Sequence, residues 1–374
     1  MPTKIRIGVI FGGRSAEHEV SLVSAASIIS ALDKEKYDIV SIGITPQGRW
    51  ISSVDALTIL KTKSSAIEGK EAILLPDPTQ RALFSPGSGT PGGIPLDVVF
   101  PVLHGTFGED GTVQGLFELA GIPYVGAGVL GSSIGMDKVV AKQLCFSAGI
   151  PVTEYISFLT EEYASRKTTL AQIEKKLRYP TFVKPANSGS SVGISKAHNR
   201  RELIEAIRLA GEYDRKILVE KGVEDAREIE VSVLGNDEPV ASIPGEIISS
   251  NEFYDYDAKY VDGRSTAVIP AKLPKPVVKK LQEFAIRAFR AIECCGMGRV
   301  DFLVKKGSHQ IYFNEINTIP GFTSISMYPK LWEASGLGYA KLLDRLIELA
   351  MERHRAKGKL KTAFQPKADW YKST

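Results

Sequence analysis

The sequence predicts an α/β fold that begins with a doubly wound parallel sheet. Buried strands are indicated by three apolar runs, at residues 4–11, 37–44 and 96–103. Apolar residues at helical spacing over 19–32 separate the first two runs, and strands that alternate with helices pair in parallel. Ligands on such sheets bind beyond the carboxyl ends of the strands, where Glu17 and His104 are placed.

Beyond residue 130 the pattern predicts mixed α+β structure. In chain order we expect a helix over 132–148, a strand, glycine-rich turn and strand over 179–197, a helix over 200–209, three short strands within 217–248, and amphipathic helices over 275–293 and 338–355. Residues 51–94 and the tail beyond Lys357 are less regular. The polar and aromatic segment 249–266 has no periodicity, and we expect it to be mobile.

Composition narrows the classes of function. The net charge of +4 comes from Lys and Arg residues that are scattered among acids, which argues against a nucleic-acid partner. No apolar stretch reaches the roughly 18 residues that a membrane span needs, and the N-terminus lacks the apolar core of a signal peptide. Cys145, Cys294 and Cys295 have neither disulfide-framework nor zinc spacing, so reduced thiols and a cytoplasmic location are expected.

A cluster of oxygen donors is predicted near the carboxyl terminus. Asp301 lies in one apolar run, and Glu315 and Asn317 lie in the next, two residues apart and therefore on one face of a strand. Mg²⁺ prefers carboxylates together with phosphate oxygens to an all-protein cage. Arg299 shares the face of Asp301, so the pattern predicts a site where metal and a positive side chain meet the phosphates of a nucleotide.

The turn at residues 187–193 offers backbone N–H groups and hydroxyls without bulky side chains. Such a turn can fold over phosphates, and Lys184 and Lys138 are candidate phosphate contacts. The segment is not a Walker sequence, so an ordinary hairpin turn and solvated lysines remain the alternative. The glycines that follow the first predicted strand likewise lack the spacing of a dinucleotide-binding fingerprint.

Other segments allow both a functional and a structural interpretation. Glu17 could complement a helix dipole or bind a substrate ammonium group. Residues 217–223 could present backbone groups to an adenine edge or be a strand end, and residues 253–260 could close over a substrate or be a packed turn. No histidines are spaced for metal ligation, and His18 and His309 are expected at the surface.

Taken together, these segments resemble the D-alanine–D-alanine ligases of the ATP-grasp superfamily. Four motifs carry the resemblance in family order: Gly12-Gly13-Arg14-Ser15-Ala16-Glu17-His18-Glu19-Val20-Ser21, His104-Gly105-Thr106-Phe107-Gly108-Glu109-Asp110-Gly111, Gly189-Ser190-Ser191-Val192-Gly193 and Asn314-Glu315-Ile316-Asn317-Thr318-Ile319-Pro320-Gly321. The resemblance covers residues 12–355. It implies an N-terminal α/β substrate-binding domain at 1–130, followed by two ATP-grasp subdomains at 131–219 and 220–374 that clamp ATP.

The resemblance also implies a nucleotide and metal site. Asp301, Glu315 and Asn317 would hold two Mg²⁺ or Mn²⁺ ions. ATP would contact Lys138, Lys184, Ser190, Ser191, Glu220, Lys221, Val223, Glu228, Lys259, Asn314 and Glu315. Within this set the lysines at 138, 184 and 259 would reach the phosphates, residues 220–223 would line the adenine pocket, and the acid at 228 would take the ribose hydroxyls.

The amino-acid substrates are implied to occupy the other motifs. Glu17, with His104 nearby, would grip the ammonium group of the first D-alanine. Ser190 and Tyr260 would tie Glu17 to the closed loop. Arg299 and the backbone amide of Gly321 would stabilise the oxyanion. Ser326 and the backbone of Met327 would hold the carboxylate of the second D-alanine.

The reaction implied by the resemblance joins two D-alanine molecules through an acyl phosphate, for peptidoglycan precursor synthesis. A homodimer is also implied, and activation by K⁺ is left open.

The alternative functions are a ligase that uses D-lactate or D-serine, another ATP-grasp carboxylate–amine ligase, a non-catalytic nucleotide-binding regulator, or an oxidoreductase. The complete metal trio disfavours a regulator, and the aromatic segment around Tyr260 favours D-alanine over D-lactate.

Overall fold

The computed structural model describes residues 4–53, 56–62, 70–86, 93–248 and 266–363. The first elements are β1 (Ile5–Gly12), α1 (His18–Ala31), β2 (Tyr37–Ile44), β3 (Trp50–Ser52), α2 (Ala56–Thr62), β4 (Lys70–Glu71), β5 (Ile73–Leu74), β6 (Ala82–Phe84), β7 (Ile94–Pro95), β8 (Val98–Val102) and α3 (Thr112–Ala120). Next come α4 (Val129–Met136), α5 (Lys138–Ser147), β9 (Tyr155–Leu159), α6 (Thr160–Ala164), α7 (Leu170–Leu177), β10 (Thr181–Pro185), β11 (Ser195–Ala197), α8 (Arg200–Tyr213) and β12 (Lys216–Lys221). The chain continues with β13 (Ala226–Gly235), β14 (Val240–Ala241), β15 (Gly245–Ile248), β16 (Thr266–Val268), α9 (Lys275–Ala291), β17 (Gly296–Lys305), β18 (Ile311–Asn317), α10 (Met327–Ala334) and α11 (Tyr339–Gly358).

The N-terminal sheet has the strand order β4-β3-β2-β1-β8. As predicted, β1 pairs in parallel with both β2 and β8. Strand β3 pairs antiparallel with β2, because the short turn after β2 leaves no room for a crossover, and β4 pairs antiparallel with β3 at the edge of the sheet. Along β1, Ile7 and Val9 pack with α1 and α11, whereas Ile10 packs with α3 on the opposite face. Both faces of this sheet are therefore covered by helices.

Two antiparallel sheets follow, which confirms the predicted change to α+β structure. The central sheet has the order β11-β10-β12-β9, and α7 and α8 cover one face. The glycine-rich turn joins β10 to β11 as a hairpin. The C-terminal sheet has the order β16-β15-β13-β17-β18, with β14 paired to β13 and α9 packed on one face. A small sheet of β5, β6 and β7 lies in the region that the sequence left irregular.

Two predicted elements differ from the structure. The helix expected over 132–148 is instead α4 and α5, with Asp137 between them in extended backbone. The Asp137 carboxylate accepts hydrogen bonds from the N–H groups of Val139 and Val140, both at 3.1 Å, so it caps α5 and ends α4. Four strands, rather than three, lie between residues 216 and 248, because a tight turn returns β14 onto β13.

The prediction that His18 is a surface residue is wrong. His18 is the first residue of α1, which packs on the sheet, and its Nδ1 lies 2.9 Å from the carbonyl oxygen of Gly13. The three cysteines are free thiols, as expected. Among the described residues, none of the helices has the length and apolar character needed to span a membrane.

The last helix returns to the N-terminal sheet and packs in the same core as β1. Arg353 of α11 links the two ends of the chain. Its guanidinium donates to the carbonyl oxygen of Gly126, to that of Tyr124 at 2.9 Å, and to Sγ of Cys295 at 2.7 Å. The same group lies 4.4 Å from the centre of the Tyr124 ring. One cation therefore satisfies buried backbone acceptors from the N-terminal part of the molecule.

We predict that Arg353→Met destabilises the protein by about 1–3 kcal/mol, because two buried carbonyl groups lose their donor. The free energy of unfolding in urea measures this loss. Arg355→Met is the matched control, since Arg355 is exposed on the same helix and should change stability by less than about 0.5 kcal/mol. Equal effects of the two substitutions would contradict the proposed role of Arg353.

Candidate active site

Two adjoining cavities lie where the N-terminal, central and C-terminal sheets meet. The larger, of about 630 Å³, is lined by β10 and β12 of the central sheet and by β13, β17 and β18 of the C-terminal sheet. The smaller, of about 240 Å³, is lined by the loops after β1 and β8, by the glycine-rich turn and by the segment after β18. Glu230, Arg299 and Glu315 line both cavities, so these side chains form their shared wall.

Every predicted site residue in the described part of the chain lines one of these cavities or their shared wall. The larger cavity contains Lys184, Ser191, Glu220, Lys221, Val223, Glu228, Asp301 and Asn314. The smaller cavity contains Glu17, His104, Lys138, Ser190, Asn317, Gly321, Ser326 and Met327. Lys259 and Tyr260 lie outside the described residues, as does most of the segment 249–266 that was expected to be mobile.

Arg299 is the charged centre at which the cavities meet. Its Nε and Nη2 donate to the two carboxylate oxygens of Asp301, both at 2.8 Å, and its Nε lies 3.0 Å from Oε2 of Glu230. The acids flank Arg299 because β13 pairs with β17 and places Glu230 opposite Asp301. Burial opposes the charge, but Asp301 and Glu230 hold the pKa of Arg299 well above its ordinary value, so the guanidinium stays protonated.

The three oxygen donors grouped by the sequence lie on paired strands. The register of β17 and β18 places Asp301 opposite Glu315. Oε2 of Glu315 lies 3.3 Å from Nζ of Lys138, and Oδ1 of Asn317 accepts a hydrogen bond from the N–H of Ile319 at 3.2 Å. Within the described ranges, no group of three or more His, Cys, Asp or Glu side chains could hold a metal ion alone. Two carboxylates and an amide therefore suit Mg²⁺ or Mn²⁺ only in combination with oxygens from a ligand.

Glu17 lies immediately before α1 and is only 8% exposed. Its Oε1 accepts a hydrogen bond from the hydroxyl group of Ser190, so the predicted contact between these side chains is present. A Cβ atom would lie 2.7 Å from Oε2 of Glu17 at Gly105, and 2.5 Å from it at Gly189. Glycine at these two positions lets the loop after β8 and the glycine-rich turn close over the carboxylate.

His104 and Glu109 line the smaller cavity from the same loop. Nδ1 of His104 lies 3.0 Å from the carbonyl oxygen of Ile319, and burial lowers the pKa of His104, so its imidazole is neutral near pH 7. Glu109 accepts hydrogen bonds from the N–H of Gly105 at 2.7 Å and of Ile319 at 3.2 Å. Burial, and then the charge of Glu17, raise the pKa of Glu109 to about 8.

A buried ion-pair network lies beneath the larger cavity. Oε2 of Glu220 lies 2.9 Å from Nζ of Lys142 and accepts from the Thr153 hydroxyl at 2.8 Å, while Oε1 contacts Nζ of Lys184. Lys142 also donates to the carbonyl oxygen of Phe313 at 3.2 Å. Burial opposes ionisation, but the two ammonium groups hold the pKa of Glu220 well below its usual range. The Glu220 carboxylate is therefore a counterion for two lysines, and its contacts are filled from within the protein.

Two protein-family models match the chain. The D-ala D-ala ligase N-terminus matches residues 6–127, and the D-ala D-ala ligase C-terminus matches residues 144–348. The chain belongs to the D-alanine–D-alanine ligase family. The glycine-rich turn, Glu220 and the strands that carry Arg299 and Glu315 all fall within the second match.

Relatives and solved structures agree with this assignment to the ligase family. The D-alanine--D-alanine ligase of Caldicellulosiruptor bescii is 53% identical over 360 residues, which covers 96% of this chain and 98% of that protein. The VanG D-Ala:D-Ser ligase from Enterococcus faecalis has a TM-score of 0.83 and 39% identity, covering 93% of this chain and 100% of that one. The D-alanine-D-alanine ligase from Coxiella burnetii has a TM-score of 0.81 and 37% identity, covering 95% and 98% of the two chains. These matches confirm the expected ATP-grasp fold.

The charged side chains of the site that the sequence analysis missed include Glu109, Lys142, Glu230 and Lys330. Glu230 lies two residues after Glu228 on β13, so the period of two that paired Glu315 with Asn317 could have found it. Lys142 follows Lys138 by one helical turn on α5, so helical spacing could have suggested that it also belongs to the site. This signal is weaker than the one for Glu230, because Lys138 pairs with Glu315 whereas Lys142 pairs with Glu220. Glu109 belongs to the motif at residues 104–111, but only the folded loop shows that its side chain is buried.

We predict that Glu220→Gln destabilises the protein by about 3–5 kcal/mol, and more than Lys142→Met does. The first change removes the carboxylate that Lys142 and Lys184 share, so two buried ammonium groups lose it. The second change leaves Glu220 paired with Lys184, an ion pair with no net charge. Urea unfolding at pH 7 measures both, with the exposed Glu212→Gln as the matched control. The reverse order would contradict this description of the network.

The same experiment has an expected pH dependence. Because the folded pKa of Glu220 is depressed, its stabilising contribution is complete above its unfolded pKa of about 4.3 and is lost as the pH falls through the folded value. The stability difference between the wild-type protein and Glu220→Gln should therefore narrow as the pH falls below about 4. A difference that stays constant between pH 3 and 7 would show that folding does not depress the pKa of Glu220, and would contradict this description of the network.

Proposed function

We propose that this chain joins two D-alanine molecules into D-alanyl-D-alanine, converting ATP to ADP and phosphate, and so supplies a peptidoglycan precursor. The observation that carries the proposal is the meeting of two different cavities at Arg299. One is lined by Lys184, a cation suited to phosphates that the buried Glu220 holds in place, and the other by Glu17, a buried carboxylate suited to an ammonium group. Membership of the family supports the same reaction, since its relatives are named D-alanine--D-alanine ligases.

ATP would occupy the larger cavity. Lys184 is held by Glu220 and by Oδ1 of Asn314 at 3.1 Å, so its ammonium group is oriented before the phosphates arrive. Lys138 would meet the phosphates from the smaller cavity. Backbone groups of residues 221–223 would take the adenine edge, with the ribose hydroxyls near the acid at 228 and Ser191 beside the phosphates. Such lysines disperse the charge of the transferring phosphoryl group, which is most of what a protein contributes to this step.

Two Mg²⁺ or Mn²⁺ ions would be held by Asp301, Glu315 and Asn317 together with phosphate oxygens of ATP. The donor set fits, because carboxylate and amide oxygens are the ligands that these ions prefer. When bound, the ions would supply positive charge to the phosphate oxygens. Lys138 holds the carboxylate of Glu315, and Arg299 holds that of Asp301, so both carboxylates are oriented by ion pairs.

The first D-alanine would lie in the smaller cavity with its ammonium group on Glu17. Ser190 keeps the glycine-rich turn against Glu17, and the neutral His104 adds no competing charge. The substrate carboxylate would face the shared wall, where it accepts the γ-phosphoryl group of ATP. A carboxylate repels an amine nucleophile, whereas the resulting acyl phosphate has a good leaving group.

The second D-alanine would then attack with its amine. A carbon–nitrogen bond forms, the carbon–oxygen bond to phosphate breaks, and the amine loses its proton. Negative charge on the carbonyl oxygen would be stabilised by Arg299 and the N–H of Gly321, and one such donor contributes about 3 kcal/mol. Ser326 and the backbone of Met327 would bind the second carboxylate, at the start of α10.

A D-alanine–D-serine ligase is the second candidate. The observation that favours it is the similarity to the VanG D-Ala:D-Ser ligase, with a TM-score of 0.83. The two functions share the nucleotide site and the first amino-acid site, and they differ only in the nucleophile. Product analysis with each nucleophile therefore separates them.

The deciding experiment incubates the purified protein with ATP, Mg²⁺ and D-alanine and detects products by mass spectrometry. We expect D-alanyl-D-alanine and one ADP for each dipeptide, with no product from L-alanine. Reactions that also contain D-serine or D-lactate should still give mainly the D-alanine dipeptide. The absence of ADP in every reaction would refute the ligase proposal, and a dominant D-alanyl-D-serine product would select the second candidate.

We predict that Glu315→Gln lowers kcat by at least about 100-fold and raises the Mg²⁺ concentration needed for half-maximal activity. The variant removes one ligand charge while the fold is kept, so its unfolding midpoint should stay close to that of the wild-type protein. Glu205→Gln, an exposed acid on α8, is the matched control and should leave both quantities unchanged. Near-normal activity of Glu315→Gln, with an unaltered Mg²⁺ requirement, would remove Glu315 from the metal site.

We further propose that the enzyme acts in the cytoplasm as a homodimer. Its substrate ATP is a cytoplasmic nucleotide. We place the contact between the two subunits on the N-terminal domain, where Leu119 of α3 and Leu130 at the start of α4 are exposed apolar side chains. Light scattering from the purified protein distinguishes a dimer from a monomer.

A further inference from the structure

Residues 318–322, here called the Gly321 loop, join the metal-site residue Asn317 to the segment that carries Ser326. The loop has no regular secondary structure, yet Thr318 and Ile319 are almost completely buried. A backbone amide can stabilise an oxyanion only if it is held within a fraction of an ångström of its position. The Gly321 loop therefore needs anchors from elsewhere in the protein.

The anchors come from the N-terminal part of the molecule. The N–H of Ile319 donates to Oε1 of Glu109 at 3.2 Å, and its carbonyl oxygen lies 3.0 Å from Nδ1 of His104. The N–H of Phe322 donates to Oγ of Ser24 at 3.2 Å, and Ser24 lies 3.3 Å from Nε2 of His104. Three side chains from α1 and from the loop after β8 thus fix the backbone on both sides of the glycine.

Glu109 connects the Gly321 loop to the wall around Glu17. Its second oxygen accepts a hydrogen bond from the N–H of Gly105 at 2.7 Å, and Gly105 is one of the two glycines at which a Cβ atom would lie too close to Oε2 of Glu17. The bridge needs two acceptor oxygens, because both of its partners are N–H donors. A glutamine side chain offers one oxygen and would place its own N–H groups against one of those donors.

Packing does not explain an acid at this position. Glu109 is 6% exposed and shares the cavity with Glu17, so an ionised side chain is disfavoured by burial and by a like charge. The hydrogen bonds from the backbone and the charge of Arg299 lower the pKa of Glu109 and offset only part of this effect. Burial of this carboxyl group costs stability, and what it provides in return is a link between two backbone N–H groups, those of Gly105 and Ile319.

We propose that Glu109 is a positioning residue for the acyl-transfer step. By joining the backbone at Gly105 to the backbone at Ile319, it fixes the Gly321 amide relative to the carboxyl group of the first D-alanine. Its effect passes through the loop backbone. This inference rests on the proposed ligase function and adds a residue to it.

The test compares Glu109→Gln with Glu205→Gln, the same change at an exposed position on α8. With both substrates varied, Glu109→Gln should lower kcat by roughly 10- to 100-fold and leave the KM for ATP within about two-fold of the wild-type value. Glu205→Gln should change neither constant. An unchanged kcat in Glu109→Gln, or a fall in kcat accompanied by an equally large rise in the KM for ATP, would overturn the proposal.

A second variant tests whether Glu109 acts through the loop. Ser24→Ala deletes the anchor at Phe322 and should also lower kcat while the KM for ATP is kept. Because both anchors hold the same loop, the double variant should lose less activity than the product of the two single losses. Fully multiplicative losses would show that Glu109 acts independently of the Gly321 loop and would overturn the proposal.

The outcome is decided even if Glu109→Gln fails to fold. Ser24→Ala alone must then show the selective loss of kcat, and an unchanged kcat in that variant overturns the proposal. Failure of the ligase function itself is seen separately, because the wild-type protein would then form no ADP with D-alanine. A wild-type protein that is active thus confines any negative result to Glu109 and the loop.

Discussion

The buried charge of Arg299 is the constraint on which the rest of the site depends. A guanidinium removed from water costs several kcal/mol unless acids surround it, and Asp301 and Glu230 supply that compensation at 2.8 and 3.0 Å. The three side chains are neighbours because Arg299 and Asp301 share a face of β17, and the pairing of β13 with β17 places Glu230 opposite Asp301. The pairing of β17 with β18 places Glu315 opposite Asp301 as well, so the proposed metal ligands and the positive charge are positioned by backbone hydrogen bonds of one sheet.

The nucleotide side of the site follows the same physical rule. Lys184 could not keep a fixed position in the cavity wall without a counterion, and Glu220 provides it. Glu220 in turn needs Lys142, since its carboxylate is buried. Charges oriented in this way before substrates bind need little reorganisation during phosphoryl transfer, which is the source of most electrostatic catalysis. The stability of the central sheet and the function of its lysine are therefore coupled.

The reaction site also requires the N-terminal and C-terminal parts of the chain to keep a fixed relation. Glu17 belongs to the first part, and Arg299 belongs to the second. Helix α11 packs on the N-terminal sheet, and Arg353 binds backbone acceptors beside it. Glu109 makes a corresponding connection within the site itself. These contacts join the two parts of the chain around the smaller cavity, which Glu17 and Arg299 both line.

The sequence by itself determined the features that depend on local spacing. The bounds of β2, the hairpin around the glycine-rich turn and the alternation of Glu315 with Asn317 follow from short-range patterns of side chains. Tertiary structure decided the rest, because burial and ion pairing depend on residues far away in the chain. The burial of His18 and the partners of Glu109 and Lys142 come from contacts that no local pattern records. The break at Asp137 is different, because its hydrogen bonds to the N–H groups of Val139 and Val140 are local and form a helix cap that apolar spacing alone does not reveal.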